Sequence, residues 1–533
     1  MARTTSRRVS RRRHASKVTA RTSKGIDMKP MSKLPICVAV AALVSACTFQ
    51  PKYERPAPPV ASTFAQSGVY ATQPRVAPGQ QGANGVAAAD IGWREFFNDP
   101  RLQRLIELSL NNNRDLAVAV LKVQQAAAQY RVTRADLFPT LDAVGRETKT
   151  RTPRNLSFLD RTISNQYSVG LSASWQIDFW GRVRSLKDQA LAQYLATAQA
   201  RKAAEILLVS QVADQYLAVL AADEQLAVTQ RTLDTASASY HLAKLQFDTG
   251  MGSELDLHQS QGIVEQARAN LQAQQRVRAQ AENALVLLVG QPLPEDLPAG
   301  LPLHAQSLLA DIPAGLPSEL LTRRPDVMEA EQRLLAANAN IGAARAAFFP
   351  NISLTGNFGT LSPTLDGLFK PGSAAWGFTP KIDLPIFEGG LNVANLQLAD
   401  VGKKIAIAQY EKAIQTAFRE VADGLAARGT YDQQIQSLDR YVASQQRRLE
   451  LSELRYRNGV DSYLNVLTAQ TDLYSAQQSL ISARLNRLTN LVDLYQYLGG
   501  GWLQHTGDTP RPADAPASLG AASAPVAASA SAG

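Results

Sequence analysis

Cysteine is almost absent from this 533-residue chain, which has only Cys37 and Cys47. An exported form beginning at Cys47 would carry no internal disulfide, which excludes a small stapled scaffold. Histidine is scarce too: His14, His241, His258, His304 and His505 are scattered without ligand-like spacing. No HExxH, GxSxG or paired CxxC occurs, so metalloprotease, nucleophile-elbow and thiolate-metal chemistry lack their residues. The sequence therefore predicts no enzyme, no cofactor and no metal. Proline is missing over two long stretches, from Phe179 to Gly290 and from Pro385 to Trp502. Such stretches, rich in Ala, Leu, Gln, Glu and Arg, are strongly helix-permissive.

A net positive body is also missing, although the formal charge is +9. Residues 1–46 hold 11 Lys/Arg and a single acid, Asp27. Taking these from the 55 basic and 46 acidic residues of the chain leaves 44 and 45. The basic character belongs to the leader, which argues against nucleic acid as a partner.

The leader is a secretion signal by its pattern. Lys29 and Lys33 precede the short apolar stretch Leu34–Leu43, and small residues come next in Val44-Ser45-Ala46-Cys47. The apolar stretch is too short to span a membrane. Met28 or Met31 would be a natural start, which makes residues 1–27 either a misassigned start or, from Met1, a dispensable extension. The Val44–Cys47 run resembles a lipoprotein signal, which implies lipidation at Cys47 and attachment to outer-membrane lipid. In such signals an aspartate after the cysteine retains the protein at the inner membrane; Thr48 stands there instead.

Beyond the leader, one design is written twice. Asp115, Phe138-Pro139 and Gly145 match Asp326, Phe349-Pro350 and Gly356 at an offset of 211. The offset then becomes 209, matching Gly181 with Gly390, Val212-Ala213-Asp214 with Val421-Ala422-Asp423, Gly250 with Gly459 and Gly290 with Gly499. Two tandem copies of one unit are expected. The organisation is a leader over 1–46, a Pro/Gly/Ala-rich linker-like segment over 47–92, a first repeat over 93–291, a connector over 292–320, a second repeat over 321–501 and a disordered Ala/Ser/Pro-rich tail over 502–533.

Each copy reads helix, strand, strand, very long helix, turn, helix. From Tyr167 to Asp178 apolar and polar residues alternate without a break, predicting a two-faced strand over 164–178. Its length suits a tilted membrane strand, which needs ~9–11 residues. Partner strands are expected over 139–150, 351–361 and 373–385. A helix from about Gly181 to Phe247 would run roughly 100 Å, a strut rather than a core element. Heptad spacing in Ile481, Leu485, Leu488, Val492 and Tyr495 fits a coiled coil. Pro139 and Pro350 should end a helix where a strand begins, Gly181 and Gly390 should pass strand to long helix, and Gly250 and Gly459 should reverse the far ends. Four strands cannot close a barrel and lipid tolerates no open edge, so three chains should share 12.

This plan resembles the TolC/OprM outer-membrane factor family, its lipoprotein branch most closely. The resemblance runs from about Trp93 to Trp502 and is most specific in Val421-Ala422-Asp423-Gly424-Leu425-Ala426-Ala427-Arg428 and in Leu454-Arg455-Tyr456-Arg457-Asn458-Gly459-Val460-Asp461-Ser462-Tyr463-Leu464. It implies a mainly α chain with a membrane β part, trimerising into a 12-stranded antiparallel transmembrane β-barrel continued by a periplasmic α-helical coiled-coil barrel. It also implies efflux of drugs or small toxic compounds with a periplasmic adaptor and an inner-membrane pump of the resistance-nodulation-division type. A closing link at the periplasmic tip would fall on Asp256 and Tyr456, with Arg455 beside it, and an apolar constriction on Leu464. Acidic residues that ring the entrance in relatives correspond to neutral Asn465 and Thr468. Two alternatives stay open: a type I secretion channel, and a periplasmic coiled-coil scaffold lipoprotein without a pore.

Overall fold

The computed structural model describes residues 49–65, 67–70, 87–153, 163–309 and 317–508, all within one unit of the chain, Thr48–Gly533. The leader, Cys47 and Thr48 lie outside the described residues, as do residues 509–533. Helix α1 (Pro100–Asn112) starts on Asp99, whose carboxylate accepts the Arg101 and Leu102 amides, with Pro100 at the first position where its missing N–H costs nothing. Helix α2 (Arg114–Ala135) is capped by Asn113 and stops just before Phe138-Pro139. Strands β1 (Thr140–Arg151) and β2 (Ile163–Ile177) come next. Gly181 then takes a left-handed φ of 74°, open to glycine at no steric cost, and α3 (Arg182–Asp248) runs for 67 residues. Asp178 accepts the Val183 and Arg184 amides at the positive end of that helix. Helix α4 (Glu254–Val289) returns along it.

After α5 (Pro317–Arg323) the order repeats: α6 (Pro325–Ala346), β3 (Asn351–Ser362), β4 (Ala374–Asp383), α7 (Leu391–Arg457) and α8 (Tyr463–Tyr497). Helices α3 and α7 each have 67 residues, and α2 and α6 each have 22. The expected strands lie within about two residues of those observed, as the alternation required.

The sheet is antiparallel in the order β1-β2-β3-β4. Helices pack in the matching order α2-α3-α6-α7, each leading into or out of the strand of the same rank. Register puts Leu171 opposite Phe358, Phe358 opposite Trp376, and Ile352 opposite both Ile177 and Ile382. One face is therefore apolar, while Ser172, Ser174, Asn357, Thr355 and Thr379 share the other. No core lies under either face: Phe358 stays 69% exposed and Trp376 78%.

The apolar core sits instead where α1, α3, α6, α7 and α8 meet. Phe96 stacks on Tyr495 with ring centroids 4.0 Å apart, and Leu102, Ile106, Leu217, Leu425 and Leu494 are fully buried around them. Helix α3 contains a stretch long and apolar enough to cross a membrane, yet its Leu208, Val212, Ala213 and Leu217 belong to this core.

Two readings from composition are corrected. Residues Phe49–Phe64 lie on the second repeat rather than forming a free linker: Phe49 stacks on Phe349, Arg55 pairs with Glu331, and Phe64 stacks on Phe418. The tail does not begin at Trp502. Trp502 stacks under Lys202, the Leu503 carbonyl accepts the Trp93 amide, and His505 meets Glu95. Proline and glycine lower helix and strand propensity, and a reading from composition misses single aromatic anchors that dock an extended segment.

Candidate channel wall and helix tips

The exposed apolar face is the first element of the site. Leu141, Leu171, Trp175, Phe358, Trp376, Phe378 and Ile382 share it, giving a sheet that buries nothing on itself and offers aromatics near its margins. The Trp175 indole donates to the Leu137 carbonyl and the Trp180 indole to the Pro350 carbonyl at 2.8 Å. Trp180 thereby pins the β2–α3 corner to the α6–β3 corner, the two places marked by Gly181 and Pro350. Strands β1 and β4 are edges, each with a free row of backbone donors and acceptors.

The helices continuing those edges are equally incomplete. Helix α2 exposes Val118, Leu121 and Val132, and α7 exposes Leu391, Leu398, Val401 and Ile405. Both sets recur at helical spacing on one face. In an isolated chain they would face water.

At the far ends the turns are built as their glycines predict. Gly250 has a φ of 73° and Gly459 a φ of 68°, each closing a long helix. Ser253 then caps α4 by accepting the Asp256 amide at 3.1 Å, so Asp256 stands in the first, electropositive turn. In the second repeat Arg455 forks onto Asp461 across the Gly459 turn, with bonds of 2.5 and 3.2 Å. That hydrogen bond holds the Asp461 carboxyl below its usual range and the guanidinium above its own. The Tyr456 hydroxyl donates to Gln246 Oε1 of α3 at 2.9 Å, which ties the two long helices together near their tips. Burial, then the nearby Asp256 charge, raises the Tyr456 phenol. The Tyr463 ring lies 5.0 Å from that of Tyr456, and burial pushes its hydroxyl up to about 12.

Within one chain, then, Asp256 and Tyr456 are neighbours without a hydrogen bond, and Arg455 is occupied by Asp461 rather than by Asp256. Leu464, Asn465 and Thr468 share one exposed face of α8, and the Thr468 hydroxyl donates to the Leu464 carbonyl. Sequence reasoning missed Gln246 altogether. It also missed the role of Asp461, although an acid six residues beyond Arg455 across a glycine turn was a readable signal.

A two-faced, edge-open sheet of membrane-strand length, prolonged by helices of ~100 Å, defines a subunit of an outer-membrane channel. The outer membrane efflux protein family matches residues 105–291 and 316–500. The toluene efflux pump outer membrane protein TtgC of Pseudomonas putida is 46% identical over 480 residues, covering 90% of this chain and 97% of that one. Outer membrane protein OprJ of Pseudomonas aeruginosa is 43% identical over 465 residues, covering 87% and 95%. Among solved structures, the open-state MtrE outer membrane channel of Neisseria gonorrhoeae superposes with a TM-score of 0.77 at 40% identity, covering 87% of this chain and all of that one. The chain belongs to the outer membrane efflux protein family. It is an outer-membrane efflux channel of the TolC/OprM type.

Proposed function

We propose that three copies of this chain close into a 12-stranded barrel whose helices form a periplasmic duct, and that the duct passively conducts small toxic compounds outward without catalysis. An inner-membrane pump of the resistance-nodulation-division type and a periplasmic adaptor would load it. The observation that carries this reading is the matching incompleteness of the two flanks: an unpaired strand with an exposed apolar helix stripe on each side, β1 with α2 and β4 with α7. Head-to-tail pairing of those flanks buries both stripes and removes every sheet edge, which closure alone achieves in lipid. The polar sheet face then lines a lumen that water can fill.

The relative named for toluene efflux supports an apolar, membrane-permeant substrate class. Cys47 would carry acyl chains in the outer membrane, and the helix tips would hold the duct shut at rest. Native mass spectrometry in detergent tests the assembly directly. Three copies are expected, with low resting ion conductance in planar bilayers that rises when the tips are opened. A folded monomer that conducts would overturn the reading, and so would a trimer that stays non-conducting after the Tyr456, Arg455 and Leu464 contacts are all removed.

A further inference from the structure

Helix α6 carries a row of residues met by an extended segment of the same chain. Glu331, Asn338, Gly342, Arg345 and the nearby Phe349 recur at spacings of 7, 4, 3 and 4, one continuous heptad-like stripe. An extended strap of the same chain, Phe49–Arg55, lies along this stripe in the opposite direction. The Phe49 ring stacks on Phe349 at 4.5 Å and faces Trp180 at 6.4 Å. The Arg345 guanidinium reaches the Phe49 carbonyl at 3.5 Å. Gly342 leaves room for both α3 and the strap: a Cβ there would stand 2.6 Å from the Ser185 Oγ and 3.0 Å from the Gln50 Cα. Asn338, fully buried, donates its amide to the Pro51 carbonyl at 2.8 Å. Glu331, buried on α6, accepts the Tyr53 hydroxyl at 3.0 Å and both arms of the Arg55 guanidinium at 2.7 and 2.9 Å.

Each of these contacts is of a different kind, and each fits its place. A buried carboxylate is costly without donors, and the strap brings Glu331 three of them. Asn338 likewise turns its amide to the strap at Pro51. A helix that exposes such groups along one face is unfinished until a peptide covers them. The direction is fixed as well, because the aromatic end of the stripe lies at Trp180 and Phe349, where β2 ends and β3 begins. Residue 49 is therefore delivered to the boundary between sheet and helices.

We propose that this stripe of α6 is an intramolecular receptor for the residues just after Cys47. It fixes the height at which the chain's mature amino terminus meets the membrane, whatever the lipid does. The proposal rests on the reading that Cys47 is the mature, acylated terminus, and it assigns that anchor its address. Phe49 and Trp180 would then stand at the level where aromatic side chains favour the membrane–water interface.

The strap carries its own reporter, since the Lys52–Tyr53 bond is a trypsin site and Arg55–Pro56 is not. Native-state cleavage is slow wherever the local segment must first undock. Cleavage after Lys52 should be slow in the native chain in detergent and should speed by about tenfold in Arg55→Glu, which sets like charges against one another at Glu331. The double variant Arg55→Glu/Glu331→Lys should restore protection. Tyr53→Phe, confined to the strap and harmless to the helix, should give a smaller increase. Protection should persist in Cys47→Ser. Equal cleavage in all of these chains would overturn the proposal, as would loss of protection in Cys47→Ser, since membrane lipid and not α6 would then be the holder. Intact mass of the native chain decides acylation separately: an unacylated Cys47 with a protected Lys52 would sink the anchor and leave the receptor standing.

Discussion

The Tyr216 hydroxyl donates to Asp99 Oδ2 at 2.9 Å, joining residues 117 apart in sequence inside the main core. The same carboxylate, 1% exposed, accepts the amides of Arg101, Leu102 and Leu301 and the Gln306 side chain. One side chain thus caps α1, fixes α3 and clips the connector near Leu301 to both. Each buried donor left without a partner costs about 1–3 kcal/mol, so Asp99→Ala should lose about 3 kcal/mol or more. Denaturant unfolding of the helical part would measure it, and Asp99→Asn should fall between the two.

Stability should depend on pH through Asp214. Burial, then the Asp493 charge, pushes its carboxyl up to about 8, while burial and Glu420 raise Asp493 in turn. Arg324 spends its charge on Glu420 and Asp326 nearby. A folded-state value above the unfolded value of about 4 means the protonated form is favoured by folding. That contribution is fully present below pH about 4 and is lost as pH rises through about 8. The melting temperature should fall across this window, and Asp214→Asn should flatten the fall. An unchanged slope in the variant would place the effect elsewhere.

At the tips, Tyr456→Phe removes the bond to Gln246 and should cost about 0.5–1.5 kcal/mol. Combined with Arg455→Ser, which frees Asp461, it should raise resting single-channel conductance while the trimer persists. Gln246→Leu should mimic the tyrosine change, since it removes the other partner. If conductance stays low in both, Leu464 is the next seal to remove.

Cys47 should be the first residue of the mature protein and should carry acyl chains. Each buried methylene adds about 0.8 kcal/mol of membrane affinity, and stable anchoring takes more than one chain or a second contact. Intact-mass measurement should show the added lipid. Cys47→Ser should retain part of the export activity in a drug-susceptibility assay, because the barrel anchors itself.

Much of the fold was legible from the sequence, for identifiable reasons. The Tyr167–Asp178 alternation gives β2 away because a strand with lipid on one side and water on the other must alternate strictly. The duplication is visible because Gly181 and Gly390 both need left-handed backbone, and few residues other than glycine supply it. The strap was not legible. Arg55 and Glu331 are 276 residues apart, and the segment between Cys47 and Phe64 has the prolines of a linker. Gln246 was missed for a similar reason: a glutamine on a helix face has no pattern until the partner helix is placed beside it. Local periodicity reports which face is buried, whereas side-chain pairing between distant elements depends on the packing itself.

The equality of α3 and α7 sets a rule for how such a chain can change in length. Both pillars start from glycine corners at the sheet and carry 67 residues each. A seven-residue insertion in one alone would drop its tip by about 10 Å below the other and draw Gln246 and Tyr456 out of reach. The returning helices α4 and α8 would need the same increment to meet their turns. Length is thus a property held in common by four helices, and a longer or shorter duct requires matched insertions or deletions in all of them at once.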